Sequence, residues 1–323
     1  MLAGVLFALT AGLMWGLVFV APLMLPDYPP ALLTTGRYLA FGLIALPLAL
    51  MDRRSLRDLR AADWWAAVRL SAVGNFLYYL TLAAAIQRAG APLPTMLIGT
   101  LPVVIAICAN HRNRVRDGKL PWSRLLPGLA LIGAGLLLVN RSELTALQAA
   151  GAGPEALRRY AEGGLLAVVA VACWTWYPIR NADWLREHAD RSPRAWATAQ
   201  GLVTLPMALI GMAAVAAVQA LWPGLLMPAG FDWPLGPQPL HYIGLMLAIG
   251  LCSSWLGTLC WNEASQRLPT SLSGQLIVFE TLAALAYAFV WRQQMPPAAT
   301  LAGIALLVAG VVSALRIKPV AAH

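Results

Sequence analysis

Long apolar runs, parted by short charged or proline-rich breaks, dominate the chain. In order they extend from about Leu2 to Leu25, Ala31 to Met51, Trp64 to Ile86, Leu93 to Asn110 and Leu125 to Val139. The second half continues from Gly163 to Ile179, Ala195 to Leu221, Tyr242 to Trp261, Leu272 to Trp291 and Thr300 to Leu315. One helical bilayer crossing takes about 20 apolar residues. These segments are apolar all round, whereas the helices of a soluble bundle need a polar face to meet water. The pattern predicts an all-α membrane protein with ten transmembrane helices, five in each half.

The halves share a text. LPTMLIGTL, from Leu93 to Leu101, returns as LPTSLSGQL from Leu268 to Leu276, and GLALIGAGL at Gly128 returns as GIALLVAGV at Gly303. Both pairs hold one offset, which also carries Pro121 onto Pro296, and this reads as an internal duplication. An odd number of crossings per copy inserts the second copy upside down, an arrangement of secondary transporters with substrate bound between the halves. The expected division is a first repeat over 1–140, an extracytoplasmic linker over 141–162 and a second repeat over 163–318. The linker is long enough for a short surface helix, and Pro94 and Pro269 mark the expected helix starts at the two copies of LPT.

Composition supports the membrane reading: 59% of the 323 residues are hydrophobic and 11% charged, too few polar groups to cover a soluble surface. The net charge of +9 raises the question of nucleic acid, but the basic residues lie in short loops, as topology determinants do, so no nucleic-acid partner is expected. With the N-terminus inside, sixteen of the 23 Lys and Arg fall on the cytoplasmic side and five on the other, with Arg37 and Arg69 within spans. That bias places both termini in the cytoplasm. Met1 leads straight into an apolar run without a charged preamble, so the first helix is expected to be retained. Trp64 and Trp65 are expected as anchors at the inner interface, Trp222 and Trp233 at the outer one. The four cysteines lie within apolar runs and lack metal-ligand spacing. Without a phosphate-cradling loop, no ATPase motor, cofactor or metal is expected.

Few residues could carry chemistry. Glu280 is the carboxylate nearest the middle of a span, where an ionisable group is costly unless it faces water or a partner. It could attract a substrate ammonium group or exchange a proton, with protons as coupling ion; a structural pair with Arg37 or a hydrogen-bonded neutral carboxyl is the alternative. Arg37 could hold a carboxylate by its fork or snorkel to the interface. Aromatic candidates are Trp15, Tyr78 and Tyr79, then Trp174, Trp176 and Tyr177, then Trp255 and Trp261. As a set they suggest a pocket for an apolar or aromatic side chain, or for a cation over ring faces. Asn75, Gln275, Ser273, Ser253 and Ser254 supply polar groups at similar depth, with Asn262 nearer the inner end, and membrane helices otherwise use such groups to bond one another.

Trp15-Gly16 in the first span, Arg37-Tyr38 in the second, the glycine-rich fifth and tenth spans and the doubled five-span plan together resemble the drug/metabolite transporter superfamily with EamA-type repeats. Trp261 with Asn262 and the aromatic interior look most like its YddG-type amino-acid exporters. The resemblance implies a cavity enclosed by spans one, three, four, six, eight and nine, with five and ten packed peripherally. Gly128, Gly133, Gly135, Gly303 and Gly310 give those two spans faces fit for close contact. The expected function is secondary transport, exporting amino acids, aromatic and other apolar ones among them, or similar small metabolites across the inner membrane by alternating access. The partners are then the substrate and the lipid bilayer. Alternatives are an exporter of hydrophobic cationic drugs and a non-transporting scaffold. An enzyme would need converging catalytic groups, whereas His111 and His241 lie at span ends on different faces.

Overall fold

The computed structural model describes residues 2–117, 121–188, 190–227, 230–267, 276, 278–293 and 295–317. Every element among them is helical. Helix α1 spans Leu2–Met24, α2 Pro30–Met51 and α3 Ala61–Ala89. Helix α4 has two pieces, Pro92–Ile98 and Leu101–Asp117, parted at Gly99 and Thr100. Then come α5 (Trp122–Ala149), α6 (Pro154–Glu187) and α7 (Pro193–Leu221). The second half closes with α8 (Pro239–Trp261), α9 (Val278–Arg292) and α10 (Ala298–Leu315). Among the described residues seven helices, α1 to α3 and α5 to α8, are long and apolar enough to cross a membrane.

Proline sets many of the beginnings. Pro30, Pro92, Pro154, Pro193 and Pro239 stand in first turns, where the ring's fixed φ suits the helix and its missing N–H had no intrahelical acceptor. Pro47, Pro127, Pro178 and Pro206 lie inside α2, α5, α6 and α7, as neighbouring helices permit in membrane proteins. Two helices lose their regular winding at mid-length: α3 is π-helical over Ala72–Leu77 and α8 over Gly250–Leu256. Such widened turns concentrate at functional sites.

The expected surface helix between the halves is not separate. Helix α5 runs on to Ala149, a turn occupies Ala150 to Gly153, and α6 begins at Pro154, so residues 141–162 extend two long helices. Helix α5 packs on α10, α2 on α7, α3 on α6, and α1 on both α8 and α9. The α5–α10 contact is backbone to backbone and antiparallel. A Cβ on Gly135 would stand 2.5 Å from the Gly303 carbonyl oxygen, and one on Gly310 would stand 2.6 Å from that of Gly128. Gly133 takes no part, with no atom within 4 Å of such a Cβ among the described residues.

The main core runs through α1, α2, α3 and α8, with Phe19, Leu25, Leu32, Leu33, Tyr79, Leu82 and Ile86 all closed to solvent. A second core joins α5, α9 and α10 through Val139, Leu285, Leu307 and Val311. Trp65 and Trp222 are exposed, whereas Trp64 and Trp233 are half-buried against core clusters.

Candidate functional site

Helices α1, α2, α3, α6, α7, α8 and α9 enclose a cavity of about 60 Å3 near the centre of the chain's packing. Arg37 from α2 and Glu280 from α9 both line it, each 6% exposed. Arg37 Nε donates to Ser254 Oγ at 3.1 Å. Its guanidinium carbon lies 4.4 Å from the centroid of the Tyr79 ring and 5.1 Å from that of Tyr38, so cation–π attraction holds the head in place. Its Nη1 is buried without a hydrogen-bond partner among the described residues. Glu280 is set by backbone packing: a Cβ on Gly12 of α1 would stand 3.1 Å from the Glu280 nitrogen. Among the described residues no ion pair joins Arg37 to Glu280, so the structural pair weighed above is not formed.

Rings make one wall. Trp174 stacks on Tyr78 at 4.8 Å and on Tyr177 at 4.9 Å between centroids, and Trp15 meets it edge-on at 6.4 Å. Two of these rings sit in glycine notches. A Cβ on Gly74 would lie 2.2 Å from Tyr177 Cδ2, and one on Gly257 would lie 2.7 Å from Trp15 Nε1. The π-helical turns bring polar groups to the same space, Asn75 from α3 and Ser253 and Ser254 from α8, with Thr258 one turn further on.

Of the residues singled out in the sequence, Trp15, Arg37, Asn75, Tyr78, Trp174, Tyr177, Ser253, Ser254 and Glu280 line this cavity. Tyr79 lies behind it, fully buried beneath Arg37, with its hydroxyl unpartnered among the described residues. Trp261 stands behind Trp15, 5.4 Å between centroids. Trp176 points instead to a surface recess with Arg69, Asp183 and Trp184. Trp255 lines a second cavity of about 280 Å3, which shares Phe41, Ala197, Ser254 and Thr258 with the first and reaches Asp52, Arg194 and Glu263. Gln275, Ser273, Pro269 and the side chain of Asn262 lie outside the described residues.

Helices α2 and α7, absent from the set of cavity spans that resemblance implied, both contribute to the lining, and among the described residues α4 contributes none of it. Gln200 on α7 was missed in the sequence. It accepts the Tyr177 hydroxyl at 2.8 Å and donates to Asn181 Oδ1 at 3.2 Å, which also takes Trp196 Nε1 at 2.8 Å. Its one signal was an amide within the apolar run of α7.

The two ends of the bundle differ. Toward Asp52 the second cavity continues the first. Toward the opposite end the path is shut by Tyr28, stacked on Tyr242 at 5.0 Å and set edge-on to Phe231. The Tyr28 hydroxyl donates to Leu235 O and receives Gln238 N, both at 2.8 Å, and Gln87 Nε2 donates to Tyr28 O at 2.9 Å. Outside this seal lies a vestibule of about 970 Å3 ringed by Asp27, Arg88, Glu155, Arg159, Glu162 and Arg292.

Comparison with known proteins agrees with this architecture. The model of the EamA-like transporter family matches residues 2–141. The chain is 56% identical to the inner membrane protein YtfF of Escherichia coli (strain K12) over 319 residues, 99% of this chain and 97% of that protein. A solved crystal structure, 19% identical, aligns over 96% of both chains with a TM-score of 0.59, a likeness of fold alone. With a membrane-spanning all-helical fold and a relative matched from end to end, the chain belongs to the EamA-like transporter family of the drug/metabolite transporter superfamily.

Proposed function

We propose that the chain is a secondary transporter that exports amino acids or similar small metabolites across the inner membrane by alternating access. One observation carries this reading: Arg37 and Glu280, opposite in sign, line one cavity without pairing, and Arg37 Nη1 has no partner among the described residues. A zwitterion answers both charges. Its carboxylate meets the guanidinium through a bidentate fork, and its ammonium group meets Glu280. Buried charges left apart are costly, and a ligand that joins them recovers part of that cost.

On this reading the chain has ten crossings in two inverted five-helix repeats, 1–140 and 163–318, with both termini cytoplasmic. Support comes from pairs that exchange under the duplication's offset: Gly128 meets Gly310 and Gly135 meets Gly303, and both α3 and α8 carry a π-helical turn at mid-length. The end bearing Asp52 and Arg194 is then the cytoplasmic one, from which substrate enters through the second cavity. A proton on Glu280 is the natural coupling ion.

A carrier of hydrophobic cations would also use a carboxylate among rings, but Arg37 in the same cavity would repel its cargo. The test is counterflow in proteoliposomes made with Glu280→Gln. The expected result is loss of amino-acid flux with altered pH dependence; a variant matching the parent at every pH removes both roles given to Glu280.

A further inference from the structure

A recess of about 270 Å3 opens between α3 and α6, apart from the central cavity. We infer that it is a lipid site, and that it takes a headgroup in which a phosphate is followed by a primary ammonium, that of phosphatidylethanolamine.

The recess has a rigid back. Trp184 forms it, donating through Nε1 to Asp63 Oδ1 at 3.1 Å and stacking on Trp196 of α7 with centroids 3.5 Å apart. Asp63 is fixed in turn by the Arg60 amide nitrogen at 2.8 Å. A wall tied to both α3 and α7 keeps its shape whether the space before it is filled or empty. On α6, Trp176, Arg180, Asp183 and Glu187 line the recess, at the three- and four-residue spacings that share one helix face. On α3, Arg69 enters it with Ala66 and Leu70.

Charge changes sign along the depth of this recess. The bond from Trp184 to Asp63 sets the register of the two helices. They run in opposite directions, since a Cβ on Gly163 in the first half of α6 would stand 2.6 Å from Ala89 at the end of α3. Arg69, which follows Asp63, and Arg180, which precedes Trp184, therefore lie toward the bilayer, and Glu187 lies at the helix end. Asp183 is taken between Arg112 of α4 and Arg180, the latter at 3.8 Å. Arg69 makes no ion pair among the described residues. The deep part thus offers guanidinium groups and the shallow part a carboxylate.

A phospholipid presents its charges in the same order, with the phosphate next to the glycerol and the ammonium further out. Guanidinium groups bind phosphate through paired N–H donors, and basic pockets between membrane helices hold headgroups. A primary ammonium can donate to Glu187, which a trimethylated one cannot. An anionic headgroup has nothing to set against Glu187. The surroundings favour a lipid over a soluble phosphate compound: Ala66, Leu70 and Trp176 give the recess apolar surface, and Trp65, one turn from Arg69, is 66% exposed, as a ring at the membrane interface would be.

The test is native mass spectrometry of the full-length protein, stripped of lipid in detergent. It is titrated with phosphatidylethanolamine, phosphatidylglycerol and phosphatidylcholine of equal chain length, with glycerophosphoethanolamine and inorganic phosphate as soluble competitors. The first phosphatidylethanolamine is expected at about threefold or more the occupancy of either other lipid, the order that a partly exposed ion pair reaches. Arg69→Gln is expected to lower the binding of all three lipids. Glu187→Gln is expected to abolish the preference for phosphatidylethanolamine and to leave phosphatidylcholine binding unchanged. Both side chains are exposed, so neither change enters the core, and the order of the three lipids on the parent protein is decisive without the variants. Phosphatidylglycerol bound as well as phosphatidylethanolamine, or better, overturns the pairing with Glu187 and with it the proposal. So does displacement of the lipid by either soluble competitor at equal concentration, which gives the recess to a soluble phosphate compound. Parental binding of all three lipids in both variants overturns it as well, because the lipid is then held elsewhere.

Discussion

Arg37 combines two features that seldom occur together, full enclosure and incomplete hydrogen bonding. Its Nε is engaged by Ser254 and its face by Tyr79, while Nη1 is free among the described residues. The planar head is therefore fixed in orientation by groups that leave one edge available. Lysine keeps the charge but offers neither the fork nor the stacking face. Losing a hydrogen bond to a charged group costs about 1.5–3 kcal/mol, roughly ten- to hundredfold in an equilibrium constant. Arg37→Lys is accordingly expected to lower amino-acid counterflow by about tenfold or more, with a normal elution profile in detergent. Parental flux in that variant would mean that a point charge suffices. Arg37 and Glu280 were visible in the sequence because a charge within an apolar run is costly unless it snorkels, pairs or faces water. Gln200 and Thr258 were not, since uncharged polar residues are routine in membrane helices as partners of neighbouring helices, and only packing reveals which of them face a cavity.

At the scale of helices, the glycines of α5 and α10 divide into those that touch and one that does not. A methyl group on Gly135 would be driven into the backbone of α10, 2.5 Å from Gly303 O and 2.9 Å from Leu307 N, where no side chain can turn aside. Overpacking of this kind costs about 1–3 kcal/mol. Gly133 faces open space among the described residues, so Gly133→Ala adds only the helix preference of alanine, about 1 kcal/mol in its favour. Heating the detergent-solubilised variants and measuring the protein that remains soluble should show Gly135→Ala melting below the parent and Gly133→Ala at or above it. Equal loss in both variants would contradict the α5–α10 contact. Sequence spacing identified the glycine-rich pair of helices but not the face that touches, because Gly133 and Gly135 are close in sequence and lie on different sides of α5. The same blindness affected the aromatics. A π-helical turn adds a residue to one winding and resets the helical phase beyond it, and Trp255 lies within such a turn. Periodicity alone cannot place it on the second cavity rather than the first.

For the whole molecule, the proposed alternating access requires that the two ends of the path exchange states, and here they differ. One end is open through the cavity shared by Ser254 and Thr258, and the other is closed by Tyr28 with Tyr242, Phe231 and Gln87. The seal joins separate elements: Tyr28 lies between α1 and α2, Gln87 on α3, Leu235 and Gln238 just before α8. Opening this end therefore means parting α2 and α3 from the start of α8, at the loss of the hydrogen bonds made by the Tyr28 hydroxyl. A net hydrogen bond contributes about 0.5–1.5 kcal/mol. Tyr28→Phe, which keeps the ring stack and removes both bonds, should shift the balance toward the opposite opening by roughly 1–3 kcal/mol. A cysteine placed at Ser254 reports that balance when labelled from each side with a membrane-impermeant maleimide, in a background from which Cys108, Cys173, Cys252 and Cys260 have been replaced. With Tyr28→Phe, labelling from the vestibule side should rise about fivefold or more while labelling from the Asp52 side falls, the reciprocal change that two exclusive states demand. Labelling that rises from both sides would instead mean a leak through a loosened bundle, and labelling unchanged on both would mean that the tyrosine seal does not hold the closed end.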